Sequence, residues 1–227
     1  MEKNLLIFGA SGYLGKKITK ILCEKDYNSV FLFARDLYSL EHDDRITAIK
    51  VNDLSIEENV AHAFAHIIPD RTAYYYLVST IGGYIEGKSI KETDYKDWLT
   101  LQKNNLNVAF LLAKYFSKLV EATSGGSICF IGARSGEHPE KNIAAYGVSK
   151  SGLSYLTKVL ALEGKSYRLS ANTIAPYIID SPENRQWIKD KNELADPDQI
   201  ANMVHDLFCK YETVTGNIYE LPPVADK

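Results

Sequence analysis

The chain alternates short apolar segments with longer amphipathic ones along its whole length, and this alternation restricts the folds open to it. Most apolar segments lack the polar alternation of a strand with one solvated face, so we expect strands covered on both faces. These segments are residues 4–10, 29–35, 46–51, 73–80, 126–133, 169–176 and 216–221, and helical patterns separate them at 14–25, 56–66, 94–120, 146–163 and 197–210. The alternation predicts an α/β fold: a single doubly wound Rossmann-type domain over 1–227, with a parallel sheet of about seven strands.

Composition and charge exclude several classes of partner. The 227 residues carry a net charge of −3 and are 45% hydrophobic, so no overall basic field attracts nucleic acid or an anionic membrane surface. The apolar run near the N-terminus, Leu5 to Phe8, is too short for a signal segment, and no other run reaches membrane length. We therefore expect a cytoplasmic protein with no nucleic acid or membrane partner.

The cysteines and histidines do not predict a metal site. Cys23, Cys129 and Cys209 are widely separated and lack metal-ligand spacing, which favours reduced thiols. His62 and His66 are four residues apart on a predicted helix, but no third ligand accompanies them. We expect no metal.

A glycine-rich turn follows the first predicted strand and opens the first predicted helix. Its pattern is G-x-x-G-x-x-G within "LLIFGASGYLGKKITKIL". Glycine here permits a tight turn, close approach of the backbone to a pyrophosphate and close packing of helix on strand, while the helix N-terminus offers free N–H groups. A plain turn is the alternative to this dinucleotide site. The expected cofactor contacts are Gly9, Ser11, Gly12, Tyr13, Leu14 and Gly15.

The ends of the second and third strands bear on the choice of cofactor. An acidic residue at the tip of the second strand would bind the ribose hydroxyls of NAD, whereas this chain has Ala34 followed by Arg35, whose fork of donors suits a phosphate. This favours NADP(H), with NAD(H) still possible because Asp36 is adjacent. Asp53 and Leu54 follow the third strand, where an adenine edge could be met, and a helix cap is the alternative role for Asp53.

Tyr146 and Lys150 lie four residues apart in a helical segment, so both side chains leave the same face. A phenol with a pKa near ~10 is a poor acid–base group at neutral pH. An ammonium one turn away favours the phenolate, so we expect Lys150 to lower the pKa of Tyr146. Lys150 can also hold the nicotinamide ribose. The pair predicts proton transfer beside a bound nicotinamide.

Together these features resemble the short-chain dehydrogenase/reductase family over nearly the whole chain. The segments "GASGYLG", "DWLTLQKNNLNVAF", "GGSICFIGA", "AAYGVSK" and "SANTIAP" follow the family's order and spacing. The resemblance implies an NAD(P)H-dependent oxidoreductase in which Tyr146 is the acid, Lys150 its electrostatic partner and ribose clamp, and Asn105 the holder of a proton-relay water. It also implies a second set of cofactor contacts, which are Gly82, Lys150, Pro176, Ile179 and Ser181.

Several departures from the common family pattern lie near the expected site. Ala133 replaces the family's hydroxyl, "STIGG" (79–83) stands where Asn-Ala-Gly is usual, and Tyr177 replaces the glycine that follows Pro176. The glycine loop, the alanine, a G-G-aromatic segment and "DSPENR" are similar to the dihydropteridine reductases. That branch implies a quinonoid dihydropterin acceptor, whose electron-poor C=N system needs little help from a serine.

The alanine has a chemical consequence. A ketone reductase uses the serine to hold the carbonyl oxygen, and loss of such a donor costs on the order of 10²-fold in rate. An acceptor that is already polarised can do without it. Ser135 could replace the missing hydroxyl only if the strand continues through it, because the alternation would then turn its side chain the same way as that of Ala133.

The sequence therefore predicts a reductase that passes hydride to a small molecule: a quinonoid dihydropterin-like ring, a quinone or an activated carbonyl. A catalytically weak NADP-binding sensor or regulatory subunit is one alternative, and a sugar-nucleotide epimerase, for which the chain is short, is another. Residues 181–197 are predicted to form a substrate flap, with a plain surface connection as the alternative. The helical segments 94–120 and 146–163 resemble the family's dimer interface and predict a homodimer or homotetramer.

Overall fold

The computed structural model describes residues 1–37, 44–190 and 193–221 and confirms the predicted fold class, since seven parallel strands form its main sheet. The strands are β1 (Lys3–Phe8), β2 (Ser29–Ala34), β3 (Ile46–Lys50), β4 (Tyr74–Ser79), β5 (Gly125–Ile131), β6 (Leu169–Pro176), β7 (Ile178–Ile179), β8 (Leu194–Ala195) and β9 (Ile218–Leu221). The helices are α1 (Tyr13–Cys23), α2 (Glu57–Phe64), α3 (Tyr95–Gln102), α4 (Val108–Glu121), α5 (Ala144–Gly164) and α6 (Pro197–Cys209). All strands belong to the main sheet except β7 and β8, which pair with each other.

The order of strands in the main sheet is β3-β2-β1-β4-β5-β6-β9. From β1 the chain winds outward through β2 and β3, then returns to β4 on the other side of β1 and continues in the opposite direction. Phe8 at the end of β1 pairs with Phe33 of β2 and with Ser79 of β4. This reversal opens a crevice at the carboxyl ends of β1 and β4, where open α/β sheets bind their ligands.

Two hydrophobic layers explain why the strands lack polar alternation. Leu6 and Phe8 of β1 belong to the cluster that packs under α2, α4 and α5, whereas Leu5 and Ile7 belong to the cluster under α1 and α6. All four side chains are fully buried. Because successive residues of a strand point to opposite faces, a sheet covered by helices on both sides needs apolar residues at every position.

The structure differs from the sequence-based prediction in three places. The predicted helix 94–120 contains a π-helical turn, Lys103–Asn107, between α3 and α4. The short β7–β8 pair was not predicted, because two-residue strands have no periodicity to detect. The predicted strand 126–133 ends at Ile131, and a 3₁₀ turn, Arg134–Gly136, follows.

No helix among the residues that the structure describes is both long enough and apolar enough to cross a membrane. Of the predicted substrate flap 181–197, residues 191 and 192 lie outside the described part of the chain.

Candidate cofactor and catalytic site

The glycine turn after β1 is tight, and backbone contacts fix it. Gly9 has a φ of +85°, which favours glycine, and its N–H donates to the Phe33 carbonyl at 3.0 Å. The Thr80 hydroxyl donates to the carbonyls of Phe8 and Gly9, each at 3.2 Å, and so ties the turn to the end of β4. A Cβ on Gly15 would lie 2.0 Å from the Gly9 carbonyl oxygen. Only glycine at position 15 lets α1 approach the turn this closely.

The N-terminus of α1 is left open for an anion. Gly12 is its N-cap residue and provides no side chain to cap the first turn. The first turn carries no acidic residue, so no carboxylate competes for its N–H groups. These features suit a bound phosphate group.

A cleft of about 850 Å³ runs along the carboxyl edge of the sheet from this turn. Ten of the predicted cofactor contacts line it: Gly9, Ser11, Gly12, Tyr13, Leu14, Gly15, Arg35, Asp53, Leu54 and Gly82. The structure thus brings together residues that are far apart in the sequence, and the cleft is large enough for a dinucleotide.

Two cations lie at one end of the cleft. Arg35 follows β2, and Lys50 ends β3 opposite Ala34 in the register of the two strands. Both are exposed side chains that line the cleft. Lys50 was not predicted from the sequence as a cleft residue, although its place at the end of the third predicted strand was a signal for this role.

Asp53 holds the turn after β3 and does not cap α2. Its carboxylate accepts hydrogen bonds from the Ser55 hydroxyl at 2.6 Å and from Lys103 at 2.7 Å. These bonds, that from Lys103 first, lower the pKa of Asp53 to about 2. The N-cap residue of α2 is Ile56, so the alternative of a helix cap was wrong. Asp53 lines the cleft as a fixed anion paired with the segment that holds Asn105.

Tyr146 and Lys150 leave the same face of α5, one turn apart. The Lys150 ammonium lies 5.8 Å from the centre of the Tyr146 ring and donates to the Ile131 carbonyl at 2.9 Å. A Cβ on Gly82 would lie 3.2 Å from the Lys150 ammonium. Gly82 therefore connects the cleft, which it lines, to the catalytic pair.

The expected lowering of the Tyr146 pKa is not found. Burial foremost, with smaller contributions from the neighbouring Tyr84 and Glu140, raises the pKa of Tyr146 to about 12. Burial also lowers the pKa of Lys150 to about 8. The prediction weighed only the charge of Lys150, but desolvation of the half-buried phenol outweighs it. At neutral pH the structure keeps Tyr146 protonated.

Tyr84 packs against the Tyr146 phenol. Its ring meets that of Tyr146 edge to face, with the centres 5.2 Å apart, and 61% of the Tyr84 side chain is exposed. The G-G-aromatic segment thus places an accessible aromatic ring beside Tyr146.

Asn105 joins three segments of the site. Its Oδ1 accepts from the Gly83 N–H at 2.7 Å, and its Nδ2 donates to the Gly83 carbonyl and to the Ser149 hydroxyl, each at 3.0 Å. The Ser149 hydroxyl in turn donates to the Tyr146 carbonyl at 2.7 Å. An amide has four hydrogen-bonding positions, so one lone pair of Oδ1 remains. Sequence reasoning missed Ser149, although its place between Tyr146 and Lys150 was a signal.

Ala133 is buried, and Ser135 does not supply the hydroxyl that the family has at position 133. Ala133 is 6% exposed and precedes the 3₁₀ turn, and Ser135 lies inside that turn. The strand does not continue through Ser135, so the condition for Ser135 to take over the role of Ala133 is not met.

The remaining predicted contacts lie at or beyond the carboxyl end of β6, outside the residues that line the cleft. Pro176 ends β6, Ile179 lies in β7, and the hydroxyl oxygen of buried Ser181 accepts from the Asn184 N–H at 3.1 Å. The Asn184 amide also donates to the Ile179 carbonyl at 2.8 Å. These bonds shape the start of the predicted flap.

The described residues fit a dinucleotide. The Gly9–Gly15 turn leaves a backbone cradle that a side chain would fill, and the cleft extends from it to Gly82, which lies against the Lys150 ammonium. No group of three or more histidine, cysteine or acidic residues could hold a metal ion within the described part of the chain.

The family described as short chain dehydrogenase matches residues 3–192. This chain belongs to the short-chain dehydrogenase family. As a member it is an NAD(P)H-dependent oxidoreductase. The match therefore confirms the family resemblance seen in the sequence.

Relatives in this family have several activities. The chain is 26% identical over 194 residues to a dihydropteridine reductase of Dictyostelium discoideum, covering 85% of this chain and 80% of that protein. It is 27% identical over 230 residues to carbonyl reductase family member 4 of Xenopus laevis, covering 96% of this chain and 95% of that protein.

Solved structures show the same fold. A short-chain dehydrogenase/reductase of Mycobacterium ulcerans superposes with a TM-score of 0.83 at 19% identity, over 98% of this chain and 89% of that one. The structure of ElxO with NADP bound superposes with a TM-score of 0.84 at 20% identity, over 97% of each chain.

Alanine substitutions in the glycine turn should separate folding from cofactor binding. Gly15→Ala places a methyl group against the Gly9 carbonyl, and we expect a loss of about 1–3 kcal/mol in the free energy of unfolding.

In Gly12→Ala the new methyl group would lie 3.3 Å from its nearest atom, the Gly9 carbonyl oxygen, so the fold should persist. This methyl group would obstruct the phosphate, and we expect at least about tenfold weaker NADPH binding. Thermal unfolding measures the stability of both variants, and NADPH fluorescence titration measures their affinity for the cofactor. An unchanged NADPH affinity in Gly12→Ala would place the phosphates elsewhere.

Buried Lys150 should make stability depend on pH. Its pKa is lowered from 10.5 to about 8, so between these values the unfolded chain binds more protons and stability rises with pH. Lys150→Met lacks this titration. Relative to the variant, the wild type should gain up to about 3 kcal/mol from about pH 7 to pH 10.5 in urea unfolding. A difference between the two proteins that stays constant with pH would mean that Lys150 titrates normally.

Proposed function

We propose that this chain uses NADPH to reduce a small, electron-poor acceptor, such as a quinonoid dihydropterin-like ring, a quinone or an activated carbonyl. One observation carries the proposal: Gly82, which lines the dinucleotide-sized cleft, lies against the Lys150 ammonium of the Tyr146–Lys150 pair, while the family's hydroxyl position is the buried Ala133.

Each residue of the site has a defined task in this proposal. The Gly9–Gly15 turn and the N-terminus of α1 hold the pyrophosphate, and Lys150 holds the nicotinamide ribose. When bound, the reduced nicotinamide supplies the hydride. Tyr146 donates the proton to the reduced acceptor, because its raised pKa keeps the phenol protonated at neutral pH. The free lone pair of Asn105 Oδ1 holds the water through which Tyr146 is reprotonated.

The state of Tyr146 favours the direction of reduction. An alcohol dehydrogenase needs a phenolate to take the proton, whereas a reductase needs a phenol to give one. A phenol whose pKa is about 12 serves the second task far better near neutral pH.

The preference for NADPH rests on the cations at the far end of the cleft. The exposed Arg35 and Lys50 flank the end of β2, where a 2′-phosphate would lie. A phosphate gains charge-assisted hydrogen bonds from such a pair. NADH lacks this phosphate and would gain nothing from them.

The acceptor class follows from Ala133. Without a donor at this position the site offers less stabilisation to the developing oxyanion of a ketone, so a more easily reduced acceptor suits it. The similarity to a dihydropteridine reductase over 85% of the chain supports a pterin-like ring as one candidate.

A homodimer is part of the proposal. Phe110 of α4 and Tyr155 and Leu162 of α5 are large apolar side chains that are 52%, 72% and 67% exposed. A second copy of the chain would remove this apolar surface from water.

The proposed activity is tested by the rate of NADPH and NADH oxidation with quinonoid dihydropterin, quinones, diketones and simple ketones. We expect turnover with NADPH and the quinonoid or quinone acceptors but not with simple ketones. Tyr146→Phe should lower kcat about 10²-fold or more without changing the NADPH dissociation constant, because only the proton donor is lost. The exposed Tyr95→Phe is the matched control and should behave as wild type.

Two outcomes would contradict the proposal. Full turnover by Tyr146→Phe would remove the phenol from the mechanism. No turnover of any acceptor, together with tight NADPH binding that alters affinity for a protein partner, would favour the alternative of a cofactor-binding sensor.

A further inference from the structure

Arg134 and Tyr177 lie side by side at the carboxyl edge of the sheet. Strands β5 and β6 are parallel and in register, with Ile131 opposite Ile174, and each of the two residues comes three positions after this pair. The Arg134 guanidinium carbon lies 5.6 Å from the centre of the Tyr177 ring. The ring is therefore a platform for the guanidinium, directly after Ala133.

The turn that carries Arg134 packs on the catalytic helix. A Cβ on Gly136 would lie 2.8 Å from the carbonyl carbon of Lys150. The turn and α5 are thus in direct contact at the catalytic lysine. This contact holds the turn that carries Arg134 against α5, directly after Ala133.

The charge of Arg134 is not balanced by an ion pair among the residues that the structure describes. The carboxylate of Glu220, on the strand next to β6, is paired with His138 at 2.7 Å. Glu137 follows three residues later; its Oε1 is buried without a hydrogen-bond partner, and it forms no ion pair with Arg134 among the pairs of the described residues. Arg134 is a half-buried residue whose guanidinium lies over a ring, and a bound anion would offset the cost of leaving its charge without an ion pair.

We propose that Arg134, held on the Tyr177 ring, binds an anionic oxygen of the hydride acceptor. This inference rests on the proposed function, because it concerns the acceptor of the same site. It narrows the acceptor to an electron-poor ring or carbonyl compound that carries a carboxylate or a similar fixed negative charge. Stacking on the Tyr177 face leaves the N–H groups in the guanidinium plane free to donate.

The preference for a negatively charged acceptor is tested with two acceptors that differ in an anionic group: ortho-naphthoquinone and its sulfonate derivative. In the wild type, kcat/KM with NADPH should favour the sulfonate. Arg134→Gln should reduce this preference at least about tenfold, because a charge-assisted hydrogen bond is lost. Tyr177→Phe keeps the ring and should keep the preference, whereas Tyr177→Leu should weaken it.

Arg71→Gln is the matched control for the change in net charge. Arg71 is exposed and precedes β4, at the opposite edge of the sheet, so the preference for the sulfonate should not change. Thermal unfolding of each variant shows whether a loss reflects misfolding, and Arg134→Lys, which keeps a charge without the fork, should retain part of the preference.

Binding separates this inference from the proposed function. With the NADP⁺-loaded wild type, which cannot reduce the quinone, calorimetry should show tighter binding of the sulfonate than of the neutral quinone, and Arg134→Gln should abolish the difference. Turnover of both quinones with no effect of Arg134→Gln would overturn the role of Arg134 and leave the reductase standing. If neither quinone is turned over but binding of the sulfonate depends on Arg134, the proposed reductase activity is overturned and the role of Arg134 stands.

Discussion

The buried amide of Asn105 is the interaction on which the geometry of the site depends. It is 1% exposed, and it binds both backbone groups of Gly83 and the hydroxyl of Ser149. Through Ser149 it reaches the Tyr146 carbonyl. One side chain thereby fixes the loop after β4 and the catalytic helix relative to each other. Its removal would leave the part-buried N–H and carbonyl of Gly83 without these partners, each costing at most about 1–3 kcal/mol.

Two further features make this interaction possible. The π-helical turn Lys103–Asn107 interrupts the regular helix at Asn105, and such turns frequently occur at functional sites. The backbone of Gly82, which lines the cleft, lies against both Asn105 and Lys150. A Cβ at this position would lie 2.9 Å from Asn105 Oδ1 and 3.2 Å from Lys150 Nζ. The cofactor cleft and the proton donor are therefore parts of one packed unit.

The sequence predicted the parts of the molecule that repeat a local pattern. The seven-stranded sheet, the glycine turn and the Tyr146–Lys150 face follow from periodicity and spacing, and all three are present. The π-helical turn was missed because one extra residue in a turn hardly disturbs an apolar pattern. The pKa of Tyr146 was predicted in the wrong direction because burial is a property of the packed structure. Lys50, Ser149 and Arg134 gained significance only once strand register and contacts were known.

If Ala133 suits the proposed reductase to acceptors that need no serine, restoring the hydroxyl with Ala133→Ser should widen the range of acceptors. The measurement is kcat/KM with NADPH for a quinone and for a simple ketone, in the wild type and the variant. We expect the wild type to reduce only the quinone and Ala133→Ser to gain ketone reduction by about 10²-fold, because a donor to the carbonyl oxygen is restored. Efficient ketone reduction by the wild type, unchanged in Ala133→Ser, would contradict this expectation.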